Sequence, residues 1–136
     1  MTRITYHISH ITKHITHNME RFHDKLKKKM DKFAHLAYKI TKDFPKNELY
    51  GATSQLRRAA LSVILNYIEG YARKRHLIKI NFFETSYGSL QESKYLLEFA
   101  LKENWLKHDD YASIDGLANE IGAMLWKTIE HITRDT

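Results

Sequence analysis

Histidines recur at helical spacing near the N-terminus and could together bind a metal ion. Two consecutive heptads, ITYHISH at 4–10 and ITKHITH at 11–17, contain His7, His10, His14 and His17. On a helix this spacing puts the imidazoles on one face, and histidines at i and i+4 commonly present two nitrogens to zinc or nickel. No carboxylate lies nearby to complete a catalytic site, and any repeat produces regular spacing. These histidines are therefore weak metal candidates; exposed side chains are the favoured interpretation, and we expect no cofactor.

Basic side chains are the second candidate for chemistry. Residues 1–80 carry 17 Lys and Arg against 6 Asp and Glu, whereas residues 81–136 carry 5 against 10. A basic segment favours phosphate-rich or acidic partners, although attraction between the two parts within the fold or an oligomer explains it equally. Aromatic residues near the second basic group could stack on unpaired bases. The side chains expected to contact RNA or DNA are Lys25, Lys27, Lys28, Lys29 and Lys32, then Arg73, Lys74, Arg75 and Lys79.

Signatures of catalysis are missing from the sequence. There is no glycine-rich phosphate loop, no HExxH, no nucleophile elbow and no cysteine. Among the carboxylates, Glu69 is the best candidate for a role. An ion pair with Arg57, Arg58 or Arg73 is favoured over a role in general acid–base catalysis. We therefore expect a protein that is not an enzyme.

The composition also bears on where the protein acts. The absence of cysteine suits a reducing cytoplasm. No signal peptide and no apolar run of 18 residues are found, so we expect a cytoplasmic protein with no membrane partner.

The elements that position these residues have helical periodicity throughout. The sequence predicts an antiparallel up-down bundle of four helices, all-α, in residues 19–136. The first helix spans about 19–43 and ends before Pro45, and Asn47 is the expected cap of the second. Small residues at Gly88 and Ser89 predict close helix packing. The apolar stripes are Phe22, Leu26, Met30, Phe33, Ala37 and Ile40; Leu49, Leu56, Ala60, Val63 and Tyr67; Ile80, Phe83, Tyr87, Leu90 and Leu97; and Leu117, Ile121, Leu125, Ile129 and Ile132.

The N-terminal heptads, residues 1–18, form a separate extension in this interpretation. Ile4, Ile8, Ile11 and Ile15 have the 4-3-4 spacing of a coiled-coil seam, in phase with Phe22. The first helix could therefore reach back to about residue 3. Because threonine and isoleucine are mediocre helix formers and two heptads are marginal, we expect this helix to be ordered only by contact with another chain or helix.

Several short stretches of the chain form a recognisable pattern. They are FPK at 44–46, SQLRRAA at 54–60, NYIEG at 66–70 with Arg73, and FF at 82–83 with GSL at 88–90. In this pattern the chain resembles the four-helix-bundle proteins encoded in intervening sequences of bacterial large-subunit rRNA genes, and it is also similar to the accessory variability determinant (Avd-like) proteins of diversity-generating retroelements. The resemblance covers roughly residues 22–130, and the histidine heptads lie outside it. Ile64 replaces a proline common in the family, which predicts a more regular second helix.

This resemblance implies a homopentamer around a central channel, without catalysis. The retroelement proteins bind nucleic acid and a reverse transcriptase, which predicts a basic adaptor. The function of the ribosomal branch is not established, and a protein-binding scaffold without nucleic-acid binding is the alternative. The residues expected at an oligomer interface or in a structural role are Arg57, Arg58, Asn66, Glu69 and Gly70.

Overall fold

Four helices account for most of the chain in the computed structural model, which describes residues 2–135. They are α1 (Arg3–Thr41), α2 (Ser54–Ala72), α3 (His76–Lys102) and α4 (His108–Arg134). Each is packed against its neighbours, α1 on both α2 and α4, and α3 on both α2 and α4. Cross-contacts fix the antiparallel order, because the end of α1 meets the start of α2 at Thr41 and Arg57, while His23 meets Tyr67. The all-α bundle predicted from the sequence is confirmed.

The core is built from the predicted stripes, with the exception of Leu49, which is 47% exposed and lies in the turn before α2. Leu26, Met30 and Phe33 of α1 are fully buried, as are Leu56 and Val63 of α2. Each stripe faces the bundle axis because apolar residues three and four positions apart share one side of a helix. The other fully or almost fully buried large side chains are Tyr67, Phe83, Leu90, Leu97, Ile114, Ile121 and Leu125.

The connection between α1 and α2 differs from the prediction that Asn47 caps the second helix. After Pro45 the chain makes one 3₁₀ turn, Lys46–Glu48, and a wide turn, Leu49–Thr53, before α2 begins. The carboxylate of Glu48 accepts a hydrogen bond from the backbone N–H of Ala52, which satisfies a donor that a cap would otherwise serve. Asn47 is exposed, and the prediction for it was wrong because α2 begins only at Ser54, after Thr53, while Glu48 caps the wide turn between them.

Helix α1 is much longer than its partners. It runs without interruption from Arg3, where the Thr2 hydroxyl accepts a hydrogen bond from the backbone N–H of Thr5, to Thr41. The prediction that it reaches back to about residue 3 is confirmed. Residues 2–21 are all exposed, so the N-terminal extension projects from the bundle at the end where the α2–α3 turn lies. At about 1.5 Å per residue, residues 3–18 project by about 24 Å.

Candidate nucleic-acid interface

Four of the five predicted α1 lysines form one stripe on the outer face of the helix. Lys25, Lys28, Lys29 and Lys32 are related by steps of three and four, whereas Lys27 points to the opposite flank. Lys25, Lys28 and Lys32 are exposed and belong to none of the ion pairs among residues 2–135. We call these three the lysine stripe. They span about 10 Å along the axis, roughly one Debye length at physiological salt, so their charges reinforce one another at the surface.

Lys29 is bound within the fold. Its Nζ donates a hydrogen bond to Glu120 Oε2 of α4 at 2.6 Å, and the Lys29 ammonium lowers the pKa of that carboxyl by this bond and by its charge. The contact joins the basic first helix to the acidic last one. Lys29 is therefore less available to a ligand than the lysine stripe beside it.

The second basic group lies at the turn between α2 and α3. Lys74 and Arg75 are exposed there. Arg73 donates a hydrogen bond to Glu69 at 3.0 Å and lies over the ring of Phe82 at 5.2 Å. The predicted pairing of Glu69 with an arginine is confirmed, and Arg73 is the partner.

Lys79 has a structural position. Its Nζ donates hydrogen bonds to the carbonyl oxygens of Tyr71, at 2.9 Å, and Gly70, at 3.3 Å, and so caps the end of α2. Burial lowers the pKa of Lys79. Its charge is bound to the carbonyl oxygens at the C-terminal end of α2.

The two consecutive arginines of α2, Arg57 and Arg58, differ in their surroundings: the first is packed against α1 and the second is exposed. Arg57 is half-buried; its Nε donates a hydrogen bond to the Thr41 hydroxyl at 2.8 Å and its guanidinium lies 4.8 Å from the ring centre of Tyr38. Arg58 is exposed. Arg57 thus ties α2 to α1, whereas no contact of residues 2–135 gives Arg58 a structural role.

The remaining predicted structural residues lie where α2 approaches α3. Asn66 donates hydrogen bonds to the Ser62 carbonyl and hydroxyl, and that hydroxyl is 2.7 Å from the Ser89 hydroxyl. Gly70 is buried against Phe83. Close packing at Ser89 is as predicted, but Gly88 is exposed with no neighbour near the place of a Cβ.

A polar cluster that the sequence pattern did not identify lies beside the second basic group. His23 Nδ1 is 2.7 Å from the Tyr67 hydroxyl oxygen, and its ring stacks on Tyr71 at 3.5 Å between centroids. Burial lowers the pKa of His23, Asp24 opposes the shift, and Lys27 adds to it; burial also raises the pKa of Tyr67. The available signal was the position of His23 and Tyr67 on the buried sides of their helices, where polar groups need partners.

A groove of about 560 Å³ opens next to this cluster, where α1 leaves the bundle. Its walls are mostly apolar, with the N-terminal extension on one side and the ends of α2 and α4 on the other. Titratable side chains line it as well, among them His23 and the carboxylate of Asp135. The principal residues are Ile15, Met19, Phe22, Tyr71 and Ile132, with His76, Lys79, Lys127 and His131.

The four histidines of the heptads are exposed along the extension. No group of three or more potential metal ligands occurs among residues 2–135. A single chain therefore offers pairs of imidazoles at most. No helix in that same range is long and apolar enough to cross a membrane.

The fold and surface described above define a small four-helix-bundle protein with a basic first helix. The chain belongs to the 23S rRNA-intervening sequence protein family, whose sequence model matches residues 23–127. It is also similar to a crystal structure at 1.70 Å resolution of a protein of unknown function from the S23 ribosomal protein family of Bacteroides thetaiotaomicron. The two chains share 22% sequence identity and superpose with a TM-score of 0.69. The match covers 76% of this chain and 97% of the chain in that structure. No curated protein matches the chain significantly.

Proposed function

We propose that this protein is a non-enzymatic, homopentameric accessory protein that binds RNA or DNA through phosphate contacts. The observation that supports it best is the lysine stripe: three exposed cations within about 10 Å, outside every ion pair of residues 2–135. Binding of this kind neutralises phosphates, releases counterions and carries little base specificity. Lys74 and Arg75 supply a second cationic patch toward the end of the bundle from which the N-terminal extension projects.

The oligomer and the protein partner in this proposal derive from the family resemblance. Five copies around an axis would repeat the lysine stripe five times, so weak single contacts would combine through high effective concentration. A retroelement reverse transcriptase is the proposed protein partner, with the bundle as the adaptor that brings nucleic acid to it. Membership of the rRNA intervening-sequence family supports the four-helix fold of the single subunit.

The pair between Lys29 and Glu120 favours a second candidate, a protein-binding scaffold without direct nucleic-acid binding. In that function the basic surface of α1 attracts acidic surface, as it already does at α4 with a distance of 2.6 Å. The scaffold would bind an acidic protein and would not bind RNA or DNA near physiological salt.

Affinity for fluorescent single- and double-stranded RNA and DNA, measured between 50 and 200 mM salt, distinguishes the two functions. We expect Lys25→Glu with Lys28→Glu to weaken binding to every sequence and to reduce the salt slope, by up to about 0.9 for each phosphate of duplex DNA that the variant no longer neutralises. Reversal at Lys27 or Lys29 is less suitable, because Lys27 lies near His23 and Lys29 bonds Glu120.

The matched control reverses two exposed lysines at the opposite end of the bundle, Lys46→Glu with Lys107→Glu. This control changes the net charge by the same amount and should retain most of the affinity. Equal losses of affinity in both variants would show that binding depends on net charge and not on the position of the lysine stripe. Wild-type protein that binds no nucleic acid at 50 mM salt would refute the proposed function in favour of the scaffold.

A further inference from the structure

The groove at the base of the N-terminal extension lies at an open end of the bundle. Helix α4 runs antiparallel to α1 and contacts it through Glu120 and Lys29. At equal rise per residue, Arg134 at the end of α4 lies level with about residue 15 of α1. Ile15 and Asp135 accordingly line the same groove.

The α2 side of the groove ends lower. Tyr71, one residue before the end of α2, stacks on His23 of α1, and α3 begins at the same end of the bundle with His76. Residues 3–14 of α1 therefore lie beyond the ends of the other helices among residues 2–135. The space beside these residues, above the groove, is bounded by α1 alone.

The isoleucines of the extension face this space. Ile4 precedes Phe22 by about five helical turns, so both lie on the side of α1 that faces the bundle, and Phe22 lines the groove. Four large exposed apolar side chains in one line mark an interaction surface. We call them the apolar seam: Ile4, Ile8, Ile11 and Ile15, which are 73%, 59%, 45% and 53% exposed.

We propose that the apolar seam and the groove bind the N-terminal extension of a second copy of this chain, in an antiparallel and reciprocal pair. The two seams meet, and the start of each extension covers the groove of the other copy. Copies that faced each other in parallel would place both bundles in the same space, because the seam and the bundle share one side of α1. In the antiparallel pair the bundles lie at opposite ends of the paired extensions. This inference goes beyond the proposed function and does not rest on a ring.

The spacing of the seam determines the register of the pair. Because the 4-3-4 spacing reads the same in both directions, one antiparallel register places Ile4 opposite Ile15 and Ile8 opposite Ile11 of the other copy. A register with one more heptad of overlap would drive Ile4 against Phe22, which is half-buried in its own bundle. One heptad less would leave Ile11 and Ile15 unpaired.

The helix ends that meet in this register have complementary charge. The start of α1, at Arg3, arrives level with about residue 16 of the other copy and continues the direction of α4, which ends there. The positive end of one helix dipole therefore meets the negative end of another. The first turn of α1 contains no acidic residue, whereas Asp135, which pairs with His131 at 3.5 Å, supplies a carboxylate at the groove. Lys127 lies about two turns before the end of α4, away from Arg3.

The flanks of the seam suit close approach of two antiparallel helices. With the isoleucines at positions a and d, the flanking positions e and g hold threonine and histidine and no lysine, arginine or carboxylate. In the antiparallel pair Thr5 faces Thr12, and His7 faces His14, of the other copy. The Thr12 hydroxyl donates a hydrogen bond to the carbonyl of Ile8 within its own helix, so its burial leaves no unsatisfied donor.

Disulfide trapping between differently substituted full-length copies tests the pairing, because the chain has no cysteine. In a mixture of Ile4→Cys and Ile15→Cys we expect disulfides between unlike copies under mild oxidation, since the two positions face each other. The matched control mixes Ile4→Cys with Thr16→Cys, which is the next residue but lies on the outer side of α1. Linkage should be at least about tenfold slower in the control.

Each variant by itself reports the orientation. In the antiparallel pair the two copies of residue 4 lie about 16 Å apart along the axis, too far for a disulfide. Ile4→Cys alone and Ile15→Cys alone should therefore link no faster than the control mixture. Single variants that link as fast as the Ile4→Cys and Ile15→Cys mixture would overturn the antiparallel pair, and so would equal rates in the two mixtures.

Sedimentation velocity over a range of protein concentrations measures the association itself. Ile8→Glu with Ile11→Glu buries unpaired carboxylates in the middle of the seam and should weaken the association by at least about tenfold. The control, Ser9→Glu with Thr16→Glu, adds the same charge on the outer side of α1 and should associate like the wild type. Equal association of all three proteins, or a wild-type protein that stays monomeric at every concentration, would overturn the proposal.

Discussion

Gly70 allows α2 and α3 to approach, and Gly70→Ala is the most direct test of the packing. A Cβ at this position would lie 2.6 and 2.7 Å from two ring carbons of Phe83 and 3.0 Å from the Cβ of Phe82. Phe83 cannot yield easily, because it is 1% exposed and its ring stacks on Tyr67 at 5.3 Å. The added methyl must therefore displace a helix or force a core ring from its rotamer.

The expected magnitude is the difference between two opposing effects. Overpacking a well-filled core costs about 1–3 kcal/mol. Alanine in a helix stabilises by about 1 kcal/mol relative to glycine, and the gain is smaller near the helix end. We expect Gly70→Ala to lower the free energy of unfolding by up to about 2 kcal/mol, which corresponds to a fall in Tm of up to roughly 8 °C for a chain of this size.

Gly88→Ala is the matched control, since Gly88 is helical and exposed and a Cβ there would have no neighbour within 4 Å. It should raise the free energy of unfolding by about 0.5–1 kcal/mol, because only the propensity effect remains. Urea unfolding of both variants at one protein concentration measures the difference, with the concentration held fixed because oligomers gain stability by mass action. Gly70→Ala as stable as Gly88→Ala would refute the packing argument.

Three further predictions concern the contacts that α2 makes with α1 and α3. Because burial lowers the pKa of His23 in the folded protein below its ordinary 6.5, its stabilising effect is present above about pH 6.5 and is lost as the pH falls. His23→Phe should therefore make the urea midpoint depend less on pH between about pH 7.5 and 5.5. An unchanged pH dependence would contradict this reasoning. Arg57→Met should lower the free energy of unfolding by about 1 kcal/mol, whereas Arg58→Met, at its exposed neighbour, should lower it by less than about 0.5 kcal/mol. Similar losses in both variants would show that the hydrogen bond from Arg57 to Thr41 does not stabilise the fold. Ser86→Ala should cost about 1 kcal/mol in the same assay, because the buried Ser86 hydroxyl donates to the Val63 carbonyl; a neutral result would count against that bond.

Helix packing was predictable from the sequence because it depends on periodicity. The residues at three- and four-residue steps from Phe22 to Ile40 and from Leu56 to Tyr67 could only bury a common side by packing against other helices. The long first helix was predictable for the same reason, since Ile4 to Ile15 keep the phase of Phe22. The pairing of Glu69 with Arg73 is local, i to i+4, so it also follows from the sequence.

Contacts between distant residues were not predictable, because they depend on the rotation and translation of each helix. The five lysines between residues 25 and 32 form one group along the chain, yet the tertiary structure attaches Lys29 to Glu120 and leaves Lys25, Lys28 and Lys32 exposed.

By itself, the sequence therefore determined an all-α bundle, a basic first part and an amphipathic N-terminal extension, since periodicity and charge are properties of single segments. Only the tertiary structure decided which charges remain available. Lys79 became the cap of α2 and Arg57 the link to Thr41, because each side chain is bound where two helices meet and no single segment contains that geometry.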